Sequence, residues 1–473
     1  MGKRDVMMRW GLDIHISGRS FCLIAACLST ACLSTACLIA SLVGDGSARA
    51  EDWPQFRGPR GDGSSVAKEL PVSWGGIFDK PKWKVTIPGR GWSSPVVCWS
   101  PVVSGNRIWL TSAETTAMVE HRVEETLDEN PHGSLDFQTV ESVSLLAIEL
   151  DGDTGGILRQ LKLATIANPA PIHAQNSYAS PTPIIDAEKV YCHFGSLGTF
   201  CIDRSSYETL WSVTLAIDDI TGSGATPVLI DDMLIIPCDG ADEQYLVALD
   251  ASSGKVRWKT DRPPMKTDKP ALKRSFSTPL IVRESQRTQI LSTTAQWLVS
   301  YNPKDGSEWW RAGIGTGYSL IPRPVVDQGV AFVCSGFMKP EMFAIRIDGS
   351  GDVTQSHVVW KKSRQVPEIS SPVVSNGKIF SVSTLGVATC VRASDGEQIW
   401  QHRIPGTYSA SPICAGGKIY FTSQSGITTV IADENKYREL ARNELFGETY
   451  ASLAVIGEDL LIRSHPVLYR IGK

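Results

Sequence analysis

One short acidic segment of the 473-residue chain has the residue types of a hard-cation site. Asp239, Asp242 and Glu243 lie close together and can supply carboxylate oxygens to Ca²⁺. Their spacing is not that of an EF-hand, and the Asp-Gly pair at 239–240 is equally typical of a turn. The segment is therefore a calcium candidate with an ordinary turn as the alternative.

Histidine and cysteine residues form no recognisable catalytic arrangement. The 8 His residues include no pair spaced as metal ligands on a helix, and none lies near a nucleophile-elbow glycine motif. The Cys residues after position 50 include no Cys-x-x-Cys pair. Cys192 and Cys201 can face each other across a hairpin that turns at 196–197, so a disulfide and two free thiols are both open.

The composition excludes several classes of protein. With 42% hydrophobic and 20% charged residues, the chain is too apolar for an intrinsically disordered protein. The formal net charge of -4 offers no basic face for nucleic acid, so we expect no nucleic-acid partner.

Residues 1–50 have the features of an export signal. Basic residues precede an apolar stretch at 21–43, and Ala48-Arg49-Ala50 fits a small-x-small cleavage site. Because this stretch exceeds the roughly 7–15 residues of a usual signal core, an uncleaved membrane anchor is the alternative. Either way, we expect residues 51–473 to be exported to the periplasm or cell envelope.

The rest of the chain is largely one unit written eight times. A polar residue before Pro, followed by aliphatic residues and a turn, returns every roughly 46 residues, a period typical of propeller blades. Each unit contains four short β-rich runs separated by turn residues. The anchors of the units are Ser94-Pro95, Ser180-Pro181, Thr226-Pro227, Thr278-Pro279, Arg323-Pro324, Ser371-Pro372, Ser411-Pro412 and a degenerate Ser452-Leu453.

The end of each unit contains a turn followed by Trp. In the clearest copy, Asp250 and Gly254 close the turn between the third and fourth strands, and Trp258 follows on the outer strand. A large flat ring at that position is suited to pack between adjacent blades. The predicted packing residues are Trp83, Trp211, Trp258, Trp310, Trp360 and Trp400.

This repeat resembles the tryptophan-docking repeat of the pyrroloquinoline quinone (PQQ)-like propeller family, which includes quinoprotein alcohol dehydrogenases and BamB-like exported scaffolds. The resemblance covers 92–473, and the segments 53–59 and 176–181 are similar to exported bacterial proteins with PQQ-like repeats. It implies an all-β, eight-bladed β-propeller of four-stranded blades at 82–473, after a lead-in at 51–81. Because the last unit lacks an outer strand, we expect the strand of Trp83 to complete it and close the ring.

The resemblance implies two different functions. A PQQ enzyme would need Ca²⁺ held by Glu, Asn and Asp, a Trp under the cofactor, an Asp base and a disulfide between adjacent Cys residues, yet no two Cys are adjacent here. We therefore expect no cofactor, and a monomeric, non-catalytic scaffold that binds an envelope protein or extended ligand. The alternatives are a PQQ-dependent oxidoreductase with Ca²⁺ and a protein that binds envelope carbohydrate.

In this family the loops before each inner strand and those between the second and third strands share one face, where the PQQ enzymes bind ligands. An acidic insertion at about 113–141 falls on that face as a lid, a docking arm or a solvated segment. The other polar residues there have ordinary solvated loops as their alternative interpretation. The ligand-face candidates are Arg90, His173, Asn176, Tyr178, Lys273, Arg274, Arg323, Glu368 and Glu448, with Tyr318 and Tyr408 on the same loops.

Overall fold

The computed structural model describes residues 51–75, 80–100, 105–123, 135–284 and 287–473. The predicted export signal and the middle of the acidic insertion lie outside the described residues. The described part consists of β-strands and loops, with short 3-10 helices at Gly195–Leu197 and Pro270–Lys273. No helix in these ranges is long and apolar enough to cross a membrane.

The first half of the described chain forms four blades, each a four-stranded antiparallel unit. Blade 1 consists of the second, third, sixth and seventh strands, blade 2 of the ninth to twelfth, blade 3 of the next four and blade 4 of the four after those. The strands are β1 (Trp83–Thr86), β2 (Val96–Ser100), β3 (Gly105–Thr115), β4 (Val119–Val123), β5 (Leu135–Thr139), β6 (Ser142–Asp151), β7 (Ile157–Ala167), β8 (Ile172–His173), β9 (Ile184–Ile185), β10 (Lys189–His193), β11 (Thr199–Asp203), β12 (Thr209–Val213), β13 (Val228–Ile230), β14 (Met233–Asp239), β15 (Gln244–Asp250), β16 (Val256–Asp261), β17 (Leu280–Arg283), β18 (Thr288–Thr294), β19 (Trp297–Tyr301) and β20 (Glu308–Gly313).

The second half forms blades 5 to 8, which confirms the predicted eight-bladed all-β propeller. The strands are β21 (Val325–Asp327), β22 (Val330–Cys334), β23 (Met342–Arg346), β24 (Gly351–Asp352), β25 (Val358–Lys362), β26 (Val373–Ser375), β27 (Lys378–Val382), β28 (Val387–Arg392), β29 (Gln398–Arg403), β30 (Ile413–Ala415), β31 (Lys418–Thr422), β32 (Ile427–Ala432), β33 (Glu439–Glu444), β34 (Ala454–Ile456), β35 (Asp459–Ser464) and β36 (Val467–Ile471). Blade 5 contains β21, β22, β23 and β25, blade 6 β26–β29, blade 7 β30–β33, and blade 8 β34–β36 with β1.

The ring closes as the sequence predicts, by pairing of the first strand with the last. β1 runs antiparallel to β36, with Trp83 opposite Arg470 and Thr86 opposite Val467. Blade 8 therefore takes three strands from the end of the chain and its outer strand from the beginning. A sheet completed in this way leaves no unpaired inner edge at the seam.

A chain of hydrogen bonds between anchor residues explains why a hydroxyl residue recurs before Pro. The first strands of neighbouring blades contact one another around the centre of the ring. The backbone N–H of one anchor donates to the anchor hydroxyl of the next blade, so that each hydroxyl satisfies a buried donor. These bonds join Ser94 to Thr182 (3.0 Å), Thr182 to Thr226 (3.0 Å), Thr226 to Thr278 (3.0 Å), Arg323 to Ser371 (2.9 Å), Ser371 to Ser411 (2.9 Å) and Ser411 to Ser452 (2.9 Å).

One anchor lies two residues away from its predicted place. The anchor of blade 2 is Thr182-Pro183, because β9 begins directly after it and Thr182 makes the bonds to the neighbouring anchors. The Ser180 hydroxyl, in the predicted anchor, bonds instead to the side-chain oxygen of Asn176 at 2.6 Å. The prediction of Ser180-Pro181 was wrong because this segment contains two consecutive hydroxyl-Pro pairs.

Most of the Trp residues predicted to pack between blades donate a hydrogen bond across a blade interface. A glycine with positive φ brings the receiving turn close to the ring, as Gly254 (φ 69) does at Trp211, where a Cβ would lie 2.7 Å from a ring carbon. The indole Nε1 bonds are those of Trp83 to Gly152 O (3.0 Å), Trp211 to Ala251 O (3.1 Å), Trp258 to Pro303 O (3.0 Å), Trp360 to Ala393 O (2.9 Å) and Trp400 to Glu434 O (3.1 Å).

The interface between blades 4 and 5 departs from this pattern. Trp310 Nε1 donates to Gln289 Oε1 of its own blade at 3.1 Å. β24, from the connection inside blade 5, pairs in parallel with β20 and places Gly351 opposite Trp310. At the same interface, the anchor position that is Ser or Thr elsewhere is occupied by Arg323. Two breaks in the repeat thus coincide at one interface.

The first part of the lead-in, 53–63, lies at the centre of the ring and bonds to five blades. Arg323, the exceptional anchor, donates to the carbonyl oxygen of Phe56 at 2.8 Å. The other contacts are Trp53 with Val97 of blade 1 (2.9 and 2.8 Å), Pro54 O with Ile185 N of blade 2 (2.9 Å), Arg57 Nη2 with Pro372 O at blade 6 (2.6 Å) and Gly63 O with Cys414 N of blade 7 (2.9 Å). The segment therefore fills the channel that the first strands surround.

The structure settles the pairing of Cys192 and Cys201. In the β10–β11 hairpin Cys192 lies opposite Phe200, and Cys201 lies opposite Tyr191. The register is thus shifted by one residue from the predicted one, which turns the two thiols to opposite faces of the sheet. All seven Cys residues of the described part are free and buried. The disulfide alternative is therefore wrong.

Candidate functional site

Two sets of loops project from one end of the ring. They precede the first strand of each blade or join its second and third strands, and we call this end the loop face. The lead-in lies toward the opposite end, where the backbone N–H groups of Lys68 and Glu69 donate to the Glu458 carboxylate (3.3 and 2.7 Å) between β34 and β35.

The acidic insertion forms a small sheet beside the loop face. Its strands β4 and β5 pair antiparallel, and β5 pairs with β8 from the segment before blade 2. Phe137 lies opposite His173 in this pairing. The described part of the insertion is thus a folded hairpin attached to the loop before blade 2.

Two of the predicted ligand-face residues brace the loop before blade 3, and a third, Tyr178, lies beside them. Asn176 Nδ2 donates to Thr221 O at 2.9 Å, and the backbone N–H of His173 donates to the same oxygen at 3.1 Å. Tyr178 is buried, and its hydroxyl donates to Ala170 O at 3.0 Å. Asn176 and His173 therefore fix the segment 221–223, and Tyr178 lines the same region.

Arg90 and Glu448 lie at the junction of blades 8 and 1. The Arg90 guanidinium lies 4.9 Å from the centre of the Trp92 ring, which stacks on Tyr450 at 4.5 Å. Glu448 is exposed and pairs through its backbone with His465. Burial, with the nearby Arg463 and Arg90 cations, lowers the pKa of His465. This aromatic and cationic cluster adjoins the Asn176 segment, because Trp92 Nε1 donates to Gln175 O at 2.9 Å.

The remaining candidates are dispersed. Lys273 ends the second 3-10 helix, and the buried Arg274 beside it donates to Ala271 O at 3.0 Å. Glu368 accepts a bond from the Thr384 hydroxyl at 2.7 Å. Arg323 is buried in the channel, and burial lowers its pKa to about 9. The structure therefore does not bring all nine candidates into one site.

A small pocket opens where the loops of blades 2 and 3 meet. Its volume is about 30 Å³, and a water molecule needs at least about 10–15 Å³ of such space. Asp219 lines it, and the Asp219 carboxylate accepts a hydrogen bond from the backbone N–H of Ser196 at 3.3 Å. The apolar and aromatic lining includes Ile172, Tyr178, Phe194, Leu197 and Ile220.

Asp219 is the residue of this region that sequence reasoning missed. Burial raises the pKa of its carboxyl to about 6, and the carboxylates of Asp218 and Asp242 act in the same direction. Ile220, next in the chain, has a φ of 50, which is strained for a β-branched residue. Strained backbone beside a carboxyl of perturbed pKa is a signal of function that becomes visible only in three dimensions.

The predicted calcium carboxylates have separate partners. Arg262 Nε and Nη2 donate to the two Asp239 oxygens at 2.8 and 2.7 Å, and both side chains are 1% exposed. Asp242 accepts from the backbone N–H of Asp218 at 2.8 Å, and Glu243 pairs with Lys259 at 3.1 Å. The structure thus uses these three carboxylates for different contacts.

The residues in the described ranges do not fit PQQ with calcium. They contain no group of three His, Cys, Asp or Glu side chains placed to hold a metal ion. Hard cations such as Ca²⁺ need six to eight oxygen ligands, usually with several carboxylates among them. A cluster of several carboxylates of this kind is therefore not found among these residues.

The fold and the repeat together define the class of this protein, a PQQ-like β-propeller. The family of outer membrane protein assembly factor BamB matches residues 146–354 and 350–441, which is more than half of the chain. The chain belongs to this family. No curated protein sequence matches it.

Solved structures of a BamB protein and of two dehydrogenases resemble the chain. BamB from Moraxella catarrhalis is 14% identical with a TM-score of 0.50, covering 76% of this chain and 99% of its own. A europium-containing methanol dehydrogenase is 9% identical with a TM-score of 0.62 (88% and 90% covered). The quinohemoprotein alcohol dehydrogenase ADHIIG from Pseudomonas putida HK5 is 10% identical with a TM-score of 0.54 (88% and 75% covered). At these identities the likeness shows the fold alone.

Proposed function

We propose that the protein is an exported, non-catalytic scaffold that binds an envelope protein or extended ligand on its loop face. The observation that supports this most is the set of large apolar side chains exposed there. Exposed apolar groups among polar loops are typical of protein interaction surfaces. The residues are Met118, Val119, Ile321, Met338, Leu385 and Phe446.

Phe446 and Leu385 are the most exposed of these residues, at 77% and 66%. Phe446 lies in the loop before blade 8, and Leu385 lies in the β27–β28 loop of blade 6. Burial of a side chain of this size by a partner stabilises the complex by roughly 1.5–3 kcal/mol. They are therefore the best positions at which to weaken a complex without disturbing the fold.

An oxidoreductase is the alternative function. Its support is the structural likeness to the europium-containing methanol dehydrogenase and the quinohemoprotein alcohol dehydrogenase. The donor set of the described residues speaks against it. Carbohydrate binding has less support, because the blade interfaces already account for most of the Trp residues named above.

The test compares capture of envelope proteins by the wild type and by a double variant, Leu385→Glu with Phe446→Glu. We expect at least a tenfold loss of the captured partner with no change in melting temperature. The control is Val256→Glu, which places the same charge at an exposed position of β16, away from the loop face. Equal capture by all three proteins would contradict the proposal. Dye-linked alcohol oxidation after addition of PQQ with Ca²⁺ or Eu³⁺ would establish the alternative.

A further inference from the structure

The pocket beside Asp219 has the properties of a cation site, and we infer that it binds a primary alkylammonium group. The Asp219 carboxylate would receive the ammonium, and the surrounding apolar side chains would contact the attached methylene groups. We assign the ammonium group to a lysine side chain on a partner protein, and this assignment rests on the proposed scaffold function. Recognition of the ammonium group itself does not.

The charge around Asp219 calls for a cation. Among the residues that the structure describes, Asp219 forms no ion pair, and the hydrogen bonds from the backbone and side chain of Ser196 leave acceptor sites of its carboxylate unused. Asp218 and Asp242 nearby add negative potential. Burying a carboxylate without a counter-ion is costly, so a carboxylate kept in this place is best explained by a cation that binds to it.

The size and lining of the pocket select the kind of cation. About 30 Å³ accommodates one ammonium group, which is close to a water molecule in size. A quaternary ammonium has no N–H to donate to the carboxylate. Tyr178 and Phe194 are aromatic groups of the type that attract cations through their ring faces. Ile172, Leu197 and Ile220 give the opening an apolar rim, which suits an alkyl chain. A metal ion would need further oxygen ligands from side chains.

The loop that presents Asp219 is held in place from two sides. Asn176 and His173 bond to Thr221 O at 2.9 and 3.1 Å. On the other side, a Cβ on Gly195 would lie 2.7 Å from Asp219 Oδ2, so only glycine permits this approach. The carboxylate is therefore fixed before any ligand arrives, and preorganisation of this kind lowers the cost of binding.

The direct test is NMR titration of the whole protein with n-butylammonium chloride. We expect shifts in the amides of 194–198 and 219–223 and a dissociation constant on the order of 1 mM, as is ordinary for a ligand of so few atoms. Asp219→Asn should weaken binding at least tenfold. Glu243→Gln, which removes the same charge from an exposed side chain on the neighbouring loop, should change it less than twofold.

The pH dependence provides a second measurement on the unmodified protein. Binding should weaken at least threefold from pH 7 to pH 5, because protonation removes the charge of Asp219. The other titratable groups packed around this carboxyl are Asp218, Asp242, His173 and Tyr178. Asp219→Asn should abolish this dependence on pH.

Probes of matched size separate charge recognition from simple filling of the pocket. Tetramethylammonium at equal ionic strength and n-butanol should both fail to shift these amides. Equal binding of n-butanol, or undiminished binding of n-butylammonium to Asp219→Asn, would overturn the inference, as would the absence of shifts at 100 mM ligand. Nα-acetyl-lysine methylamide and its Nε-acetyl form test lysine as the source. Because no envelope protein is present, the outcome is independent of the capture experiment.

Discussion

Asp219 is a half-buried carboxylate and Asp239 a fully buried one in adjoining parts of the ring, and their surroundings are opposite. Asp239 is held by the Arg262 guanidinium at 2.7 and 2.8 Å and by the Thr294 hydroxyl at 3.0 Å. Arg262 in turn bonds to Ser292 at 2.9 Å. Asp219 has hydrogen bonds from the backbone and the side chain of Ser196 and no cationic partner among the described residues. The charge of Asp239 is neutralised by Arg262 inside the fold, whereas that of Asp219 is available to a ligand.

The contrast separates two uses of a buried charge. A fully bonded pair fixes the approach of β14 to the loop after β16 and is silent toward ligands. An unpaired carboxylate destabilises the fold and is retained where it serves binding or chemistry. Substitutions should therefore have opposite signs at the two positions.

Removal of the paired carboxylate should have the largest effect. Asp239→Ala leaves Arg262 buried without its counter-ion and should lower the free energy of unfolding by about 3–5 kcal/mol. Urea denaturation measures this. The double variant Asp239→Leu with Arg262→Met should recover most of the loss, because it removes both charges. A double variant as unstable as the single one would show that packing, rather than charge, dominates here.

Removal of the unpaired carboxylate should stabilise the protein. The pKa of Asp219 is raised from 3.8 to about 6 in the folded state, so the folded protein holds its proton more tightly than the unfolded chain. Ionisation of Asp219 therefore lowers the free energy of unfolding. This loss of stability is absent below pH 3.8, grows as the pH rises and is complete above about 6. Asp219→Asn should therefore raise the free energy of unfolding by about 1–3 kcal/mol at pH 7 and leave it unchanged near pH 3.5. A loss of stability at pH 7 would refute this.

The same contrast applies to a neutral hydrogen bond. Thr182→Val leaves the buried N–H of Ser94 without an acceptor and should cost about 1–2 kcal/mol in thermal unfolding. Ser180→Ala, at the other hydroxyl-Pro pair, should cost less, because Ser180 lies outside the chain of anchor bonds. Equal losses would mean that the anchor bond contributes nothing particular to the interface between blades 1 and 2.

The smallest effect belongs to an exposed charge pair. Glu243 and Lys259 lie 3.1 Å apart with side chains 59% and 45% exposed. Solvent and salt screen such pairs, so Glu243→Gln should change the free energy of unfolding by less than about 0.5 kcal/mol. Guanidinium titration of this variant checks the prediction and validates it as the control for ligand binding. A loss above 1 kcal/mol would disqualify it.

The blades could be predicted because they repeat. Each anchor and each Trp supports the interpretation of the others. The last unit lacked an outer strand, so the unpaired strand at Trp83 was predicted to pair beside β36. Register was harder to predict. The 3-10 helix at Gly195–Leu197 centres the β10–β11 turn on residue 196, whereas the predicted turn was centred between 196 and 197. The strand pairing is therefore shifted by one residue, and Cys192 no longer lies opposite Cys201.

The candidate site could be predicted only in part. Asn176 and Tyr178 were predicted from the sequence as ligand-face residues. Asn176 bonds to the loop that contains Asp219, and Tyr178 lines the pocket beside it. Asp219 itself has no counterpart in other units, because loop lengths differ from blade to blade. Its burial depends on the meeting of two loops that are distant in sequence, and no local pattern encodes such a meeting.

The position of the lead-in at the centre of the ring has a consequence for the order of folding. Its bonds join residues 315 positions apart at Pro372 and 267 apart at Arg323. Contacts of such long range require closure of a large loop before any free energy is returned, and they slow folding. The lead-in is synthesised before every blade, yet it can settle only after blades 5 to 7 exist. We therefore expect ring closure, in which β1 pairs with β36, to come late in folding.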